Sequence, residues 1–305
     1  MSKELKTHPV KGFFYSITSA LSVTVVYIIS KLIQNTLSTE LFLFWWFGLA
    51  SVWGSFFIIK MKIFKKYVEI IKKHIGFLSY FAIAESFGTF LFFYLIKKLN
   101  PSVVSFLGSI TPLLVVIVGY FILNERFNLI EGIGAVIAII GVAIITYTTP
   151  EVKPFYLLIL FIMLLIFAFN TVLVRKKSTE IPSLLITILR VYFLFTVYAL
   201  FILIKGGFQF PAKKEMINLL IGSFAGPILG MFLLFKALSY MKAGTVSIIR
   251  SIQPFLVAIG TYFILKLPLS SKQLIGGTIV VIGINIILFG ANITKNNFLN
   301  RPIKN

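Results

Sequence analysis

The sequence predicts an all-α polytopic membrane protein, with ten transmembrane helices arranged as two inverted five-helix repeats. Three observations predict it. Of 305 residues, 58% are hydrophobic and 12% charged, whereas a soluble domain carries roughly 25% charged residues. The apolar residues gather into ten segments, each close to the ~20 residues that a bilayer-spanning helix needs. The second half of the chain also repeats the first at an offset of 142 residues.

The ten segments are 12–34, 39–60, 75–96, 100–123, 128–147, 155–174, 184–204, 216–240, 243–265 and 270–290. Short connections separate them and leave no room for a soluble domain. The longest runs from Lys60 to His74. There Lys65, Lys66, Lys72 and Lys73 alternate with Ile63, Phe64, Tyr67, Val68 and Ile70, which predicts a short interfacial helix facing anionic lipid headgroups. The first apolar stretch is too long for the core of a signal peptide and lacks an obvious small-residue cleavage site. With a cytoplasmic N-terminus, the inside segments hold 17 basic residues and the outside segments nine. Lys and Arg concentrate on cytoplasmic loops, so both termini are predicted inside. The membrane is expected to be the cell membrane, since no targeting extension is visible. The same clustering accounts for the net charge of +20, so nucleic acid is not an expected partner.

Composition also excludes chemistry. Cys and Asp are absent, the acidic residues are nine Glu, and the two His are His8 and His74. Disulfides, thiolate metal sites, Asp-centred triads, paired-carboxylate catalysis and multi-His metal sites are therefore not expected. A membrane enzyme would need a nucleophile with a positioned base, or metal ligands, and the segments supply neither. No cofactor or metal is expected. No Gly-x-x-x-x-Gly-Lys-Ser/Thr loop occurs, so energy from ATP is not expected either.

The repeat is the strongest signal. Residues 88–145 and 230–287 agree at 23 of 58 positions without a gap. The matches include Ser105/Ser247, Ser109/Ser251, Pro112/Pro254, Gly134/Gly276 and Gly141/Gly283, and the run Tyr120 to Leu123 against Tyr262 to Leu265. Biased apolar composition does not align two prolines, two serine pairs and two glycine pairs at once. The units are 1–150, helices one to five, and 151–305, helices six to ten with a short tail. Five is odd, so the second unit starts on the opposite side of the membrane. Inverted repeats of this kind build two related shapes around a midplane site, the architecture of alternating access.

The matching segments resemble the drug/metabolite transporter superfamily, specifically its EamA-like ten-helix members. The likeness rests on Asn100 to Gly141, with Pro112, Asn124-Glu125-Arg126, Gly134 and Gly141, and on Lys242 to Gly283 in the second copy. Arg175-Lys176 and Arg190 add to it. It covers essentially 12–290. Where the family often places an acidic residue after helix nine, this chain has Lys266-Leu267-Pro268. Trp46 sits roughly where Arg190 sits in the second half.

Residue by residue, the segments offer two kinds of site. Pro112 and Pro254 each remove a helical hydrogen bond, and Ser109 and Ser251 are placed to re-satisfy freed backbone groups. They mark either static kinks or hinges in helices four and nine. Gly134 and Gly141, like Gly276 and Gly283, lie two turns apart on one face, which predicts close helix packing, within the chain or at a homodimer seam. Intramembrane charge is the sharper signal, since each such group costs roughly 2.5–3.5 kcal/mol at a helix centre. Arg190, Arg250 and Lys236 fall on the cytoplasmic side of the second repeat, and Glu85 stands near the middle of helix three. A positive pocket for a carboxylate or phosphate is one reading, an Arg–Glu85 structural pair another, and Lys236 could snorkel to the interface. Glu85 could instead meet a substrate amine or carry a proton. Asn170, Gln253, Thr111, Tyr27, Tyr94, Trp45 and Trp46 complete the cavity candidates.

The resemblance implies a secondary transporter of amino acids or related metabolites, working by export or exchange. An organic anion, such as a phosphorylated metabolite or a nucleotide sugar, is the alternative. A membrane interaction or lipid-handling protein is a third reading from another class.

Overall fold

The computed structural model describes residues 9–34, 36–61, 64–123, 129–178, 180–241, 246 and 249–299, and its regular elements are all helical. The first half contains α1 (Pro9–Gln34), α2 (Thr39–Met61), the short α3 (Phe64–Lys73), α4 (Ile75–Lys98), α5 (Pro101–Gly108), α6 (Thr111–Leu123) and α7 (Leu129–Tyr147). The second contains α8 (Pro154–Lys177), α9 (Ser183–Lys205), α10 (Lys213–Ser223), a π-helical turn (Phe224–Gly230), α11 (Met231–Tyr240), α12 (Gln253–Gly260), a second π-helical turn (Thr261–Leu265) and α13 (Ser271–Leu299). Among the described residues, six helical rods are long and apolar enough to cross a membrane; α10, its π turn and α11 form one of them. Four shorter apolar helices accompany these. Large apolar side chains such as Ile83, Leu203 and Phe263 stand exposed on the outside, a surface suited to lipid and not to water.

The fourth predicted segment is two helices. Pro112 has no N–H to offer the Gly108 carbonyl, and the chain turns at Ser109–Ile110. Thr111 Oγ1 donates to the Gly108 carbonyl at 2.6 Å instead, and Ser109 Oγ to the Ser105 carbonyl at 3.0 Å. The second repeat breaks at the same place, at Ser251–Ile252 ahead of Pro254. Asn100 opens α5 by accepting from the Ser102 N–H at 2.9 Å, with Pro101 in the first turn where its missing donor costs nothing.

The glycine face lies inside the chain. A Cβ on Gly134 would sit 2.7 Å from the Gly283 carbonyl, and one on Gly141 would sit 2.7 Å from the Gly276 carbonyl and 2.6 Å from the Val280 nitrogen. α7 and α13 therefore pack backbone to backbone and antiparallel, which only glycine permits at these positions.

Helix ends are tied by cations. Lys31 Nζ donates to the carbonyls of Ile96, Lys97 and Leu99 at 2.9–3.0 Å, satisfying acceptors that the end of α4 leaves over. In the second half Arg175 donates to the Leu238 carbonyl near the end of α11. α3 packs one face against the protein and leaves its basic face outward. Its Tyr67 is buried in a small core with Leu78, Phe81, Val174, Ile181 and Phe235, and Ile70 and Ile71 pack on the same core, while Lys72 and Lys73 stay exposed. An apolar cluster made by both halves is available to cover that side of the helix. Beside it, His74 Nε2 lies 3.6 Å from Glu180. Lys177, bonded to Glu180 at 3.0 Å, holds its carboxyl below the ordinary range. A lowered carboxyl pKa favours the folded contact at neutral pH and loses that contribution as pH falls through the lowered value.

Candidate functional site

The bundle holds a cavity of about 290 Å³ lined from both halves of the chain. Its walls are mostly apolar and aromatic, with Phe47, Phe92, Phe93 and Phe167 among them. Tyr27 meets Phe92 edge-on at 5.1 Å, and Trp46 meets Phe93 at 5.8 Å.

Against this apolar ground stand two charged groups of residues. The first is centred on Glu85 of α4, which is 3% exposed. Its Oε2 accepts from Arg190 Nε of α9 at 2.5 Å, and its Oε1 accepts from Asn170 Nδ2 of α8 at 2.9 Å. Arg190 Nη2 donates to Thr89 Oγ1, one turn along α4, at 3.1 Å, and the guanidinium lies 5.7 Å from the Phe47 ring centre. Both carboxylate oxygens are engaged, and the two formal charges cancel. A buried pair is tolerated only when the remaining donors and acceptors are met in this way. Asn170 Oδ1 keeps no hydrogen-bond partner among the described residues.

The second group is centred on Arg250, immediately before the break in the helix leading to α12. Its Nη1 donates to Ser19 Oγ of α1 and its Nη2 to Gln253 Oε1 at 2.8 Å. No carboxylate among the described residues lies within 4.0 Å of it. The cavity therefore carries one positive charge that no carboxylate among the described residues pairs with.

The structure thus brings Glu85, Arg190, Asn170, Arg250, Gln253, Thr111, Tyr27 and Trp46 to one cavity, with Ser109, Pro112, Ser251 and Pro254 on its wall. Lys236 and Tyr94 lie off it. Lys236 turns its ammonium over the Tyr240 ring at 5.5 Å, and Tyr94 stacks with Phe90 at 6.3 Å and takes Lys98 over its face. Trp45 faces outward and donates to the Gln209 carbonyl at 3.0 Å. Glu85, which stood by itself in the sequence, has two side-chain partners.

Sequence reasoning passed over Pro227, Ser19, Thr89 and Phe47. Gly226-Pro227 inside an apolar segment was a legible breaker. Pro227 lines the cavity from the first π turn, where the N–H of Met231 reaches back to the Gly226 carbonyl. The 142-residue offset sets Pro227 against Glu85, Arg250 against Gly108 and Gln253 against Thr111. The break ahead of Pro112 and Pro254 is thus duplicated, while the π turn at Pro227 and the charges are not. Ser19 carried no signal, because its partners Gly230 and Arg250 lie over 200 residues away.

A helical bundle with apolar outer sides and a cavity that holds charged side chains defines a multi-pass membrane protein of the transporter class. The chain belongs to the EamA-like transporter family, whose model matches residues 10–147 and again 154–289, consistent with the drug/metabolite transporter superfamily. It is similar to an uncharacterized transporter, YetK, of Bacillus subtilis (strain 168), with 34% identity over 126 residues. That match spans 40% of this chain and 38% of the relative. A solved structure, described only as a crystal structure of a protein, shares the fold at 15% identity with a TM-score of 0.63, covering 90% of this chain and 97% of that one.

Proposed function

We propose that this protein is a secondary transporter that moves a small carboxylate-bearing metabolite, an amino acid foremost, across the cell membrane by alternating access. The observation that carries the reading is the guanidinium of Arg250, which faces the cavity with hydroxyl and amide partners and no carboxylate partner among the described residues. Glu85 is already balanced by Arg190, so the cavity favours an anionic group over a cation. Arg offers such a group a planar fork of donors. The volume of about 290 Å³ sits at the lower edge of the roughly 300–1,000 Å³ of drug-sized pockets. That suits a small metabolite better than a nucleotide sugar. The direction, export or exchange, follows the family likeness, and the chain performs no catalysis in this reading.

Ten spans in two inverted repeats, 1–150 and 151–305, complete the proposal, with both termini cytoplasmic and the basic face of α3 near anionic headgroups. Its support is that corresponding helices of the two halves run antiparallel. Gly134 meets Gly283 while Gly141 meets Gly276, and Glu40 at the start of α2 meets Lys205 at the end of α9 at 3.2 Å. Opposed corresponding helices are what inverted repeats require. A homodimer would have to use a face other than the glycine seam, which is filled.

The test is thermal stability of the purified protein in detergent against amino acids, amines, organic phosphates and nucleotide sugars. A ligand at 100 times its Kd adds about 2.7 kcal/mol if it binds only the folded state. An amino acid should stabilise wild type and lose that effect in Arg250→Gln. An amine that acts through Glu85 and ignores Arg250 would overturn the reading.

A further inference from the structure

We propose that Ser19 is the positioning residue through which occupancy of Arg250 reaches the π-helical turn between α10 and α11; this rests on Arg250 being the anion site. Hydroxyls in a membrane helix ordinarily bond back to the carbonyl four residues earlier. In α1, Ser16 does so to Gly12 at 2.8 Å and Thr24 to Ala20 at 2.9 Å. Ser19 and Ser22 do not. Ser19 Oγ donates across to the Gly230 carbonyl at 2.8 Å, and Ser22 Oγ to the Ala225 carbonyl at 2.6 Å. These two carbonyls bracket Pro227, in the stretch where Pro227 offers no N–H. The approach is close: a Cβ on Gly230 would lie 3.2 Å from Val23 Cγ2 and 3.5 Å from Ser22 Cβ.

Ser19 alone of this pair is also an acceptor from Arg250. Its lone pair is held by the guanidinium, which aims its proton at Gly230. A ligand carboxylate draws Arg250 into charge-assisted hydrogen bonds, which are stronger than a bond to a neutral hydroxyl. Once Arg250 withdraws, Ser19 is released to the local carbonyl of Tyr15, four residues back, as its neighbours already bond. The Gly230 carbonyl then loses its outside donor. A π turn differs from an α-helix by one residue of register, so freeing this end lets α11 re-register against α10. The relay links the anion site to a backbone break in the same half, and it uses no titration.

The chain has no Cys, so a single Leu234→Cys, on the cavity wall one turn past the π stretch, reports the position of α11 by its rate of thiol labelling. Arg250→Gln and Ser19→Ala should each change that rate without any ligand, in the same direction. The double variant should match either single one, the non-additivity expected of one pathway. Ser19→Thr, which keeps the hydroxyl, should label as wild type does, and thermal denaturation checks that every variant is folded. An equimolar mixture of the protein L-amino acids should move the wild-type rate the way Arg250→Gln does and leave Ser19→Ala unmoved. A wild-type rate in Ser19→Ala, or additive effects in the double variant, overturns the relay. Loss of the amino-acid effect alone, with the non-additivity intact, overturns the substrate reading and leaves the relay standing.

Discussion

Glu85 and Arg190 cancel each other at the cavity wall, and removal of either strands the other. Breaking a buried pair by removing one partner costs about 3–5 kcal/mol, so Glu85→Gln should lower the melting temperature sharply. The pair Glu85→Gln with Arg190→Met should recover much of that loss, since two neutral side chains strand no charge; calorimetry in detergent reads both. Asn170→Ala removes one hydrogen bond to the carboxylate and leaves the ion pair, so its cost should be smaller. That Glu85 and Arg190 need partners or a cavity was legible in the sequence, because ionisable groups inside apolar segments announce themselves by their insertion cost. Their pairing was not. Glu85 and Arg190 lie 105 residues apart, and hydropathy does not say which helices adjoin. Depth alone grouped Lys236 with the two arginines, while its side chain turns to Tyr240 and away from the cavity.

At the scale of elements, backbone breaks matter more than boundaries. Pro112 and Pro254 were visible as kinks, and the turns at Ser109 and Ser251 follow from them. Pro227 was equally visible and has the larger local effect, a full π turn. Pro227→Ala restores an N–H and should favour a regular helix. Thermal stability should stay level or rise, while uptake into proteoliposomes falls, because the register of α11 is then fixed. The glycine seam makes a sharper demand. Gly141→Leu places a side chain where backbone atoms lie 2.6–2.7 Å away, and overpacking of this kind typically costs 1–3 kcal/mol. Gly132→Leu, with nothing within 4 Å, should be neutral in the same melting experiment.

For the whole molecule, hydropathy marked the chain as helical and membrane-spanning, because the solvent is lipid and the spanning length is fixed; among the described residues six helical rods reach that length. Hydropathy did not reveal that the segments holding Pro112 and Pro254 are each broken into shorter helices, since a broken helix inside a protein-lined cavity is as apolar as an intact one. Nor did it show that α3 rests on a core built by both halves. Orientation is open to direct measurement: single cysteines at Lys153 and Lys205 should react with an impermeant reagent from outside, and one at Lys176 only from inside. Reactivity from the same side at Lys153 and Lys176 would contradict the proposed topology.

The contact between α7 and α13 is its own reverse. Gly134 touches Gly283, and the partners of those residues in the other half, Gly276 and Gly141, touch each other. A surface that meets its own copy in this way is what two identical subunits share across a dyad. The chain thus folds inward along a surface that, in a molecule half as long, would join two separate polypeptides. Severed near residue 150 and produced as two pieces, the halves should find each other in the membrane and co-purify, and Gly141→Leu should leave them apart.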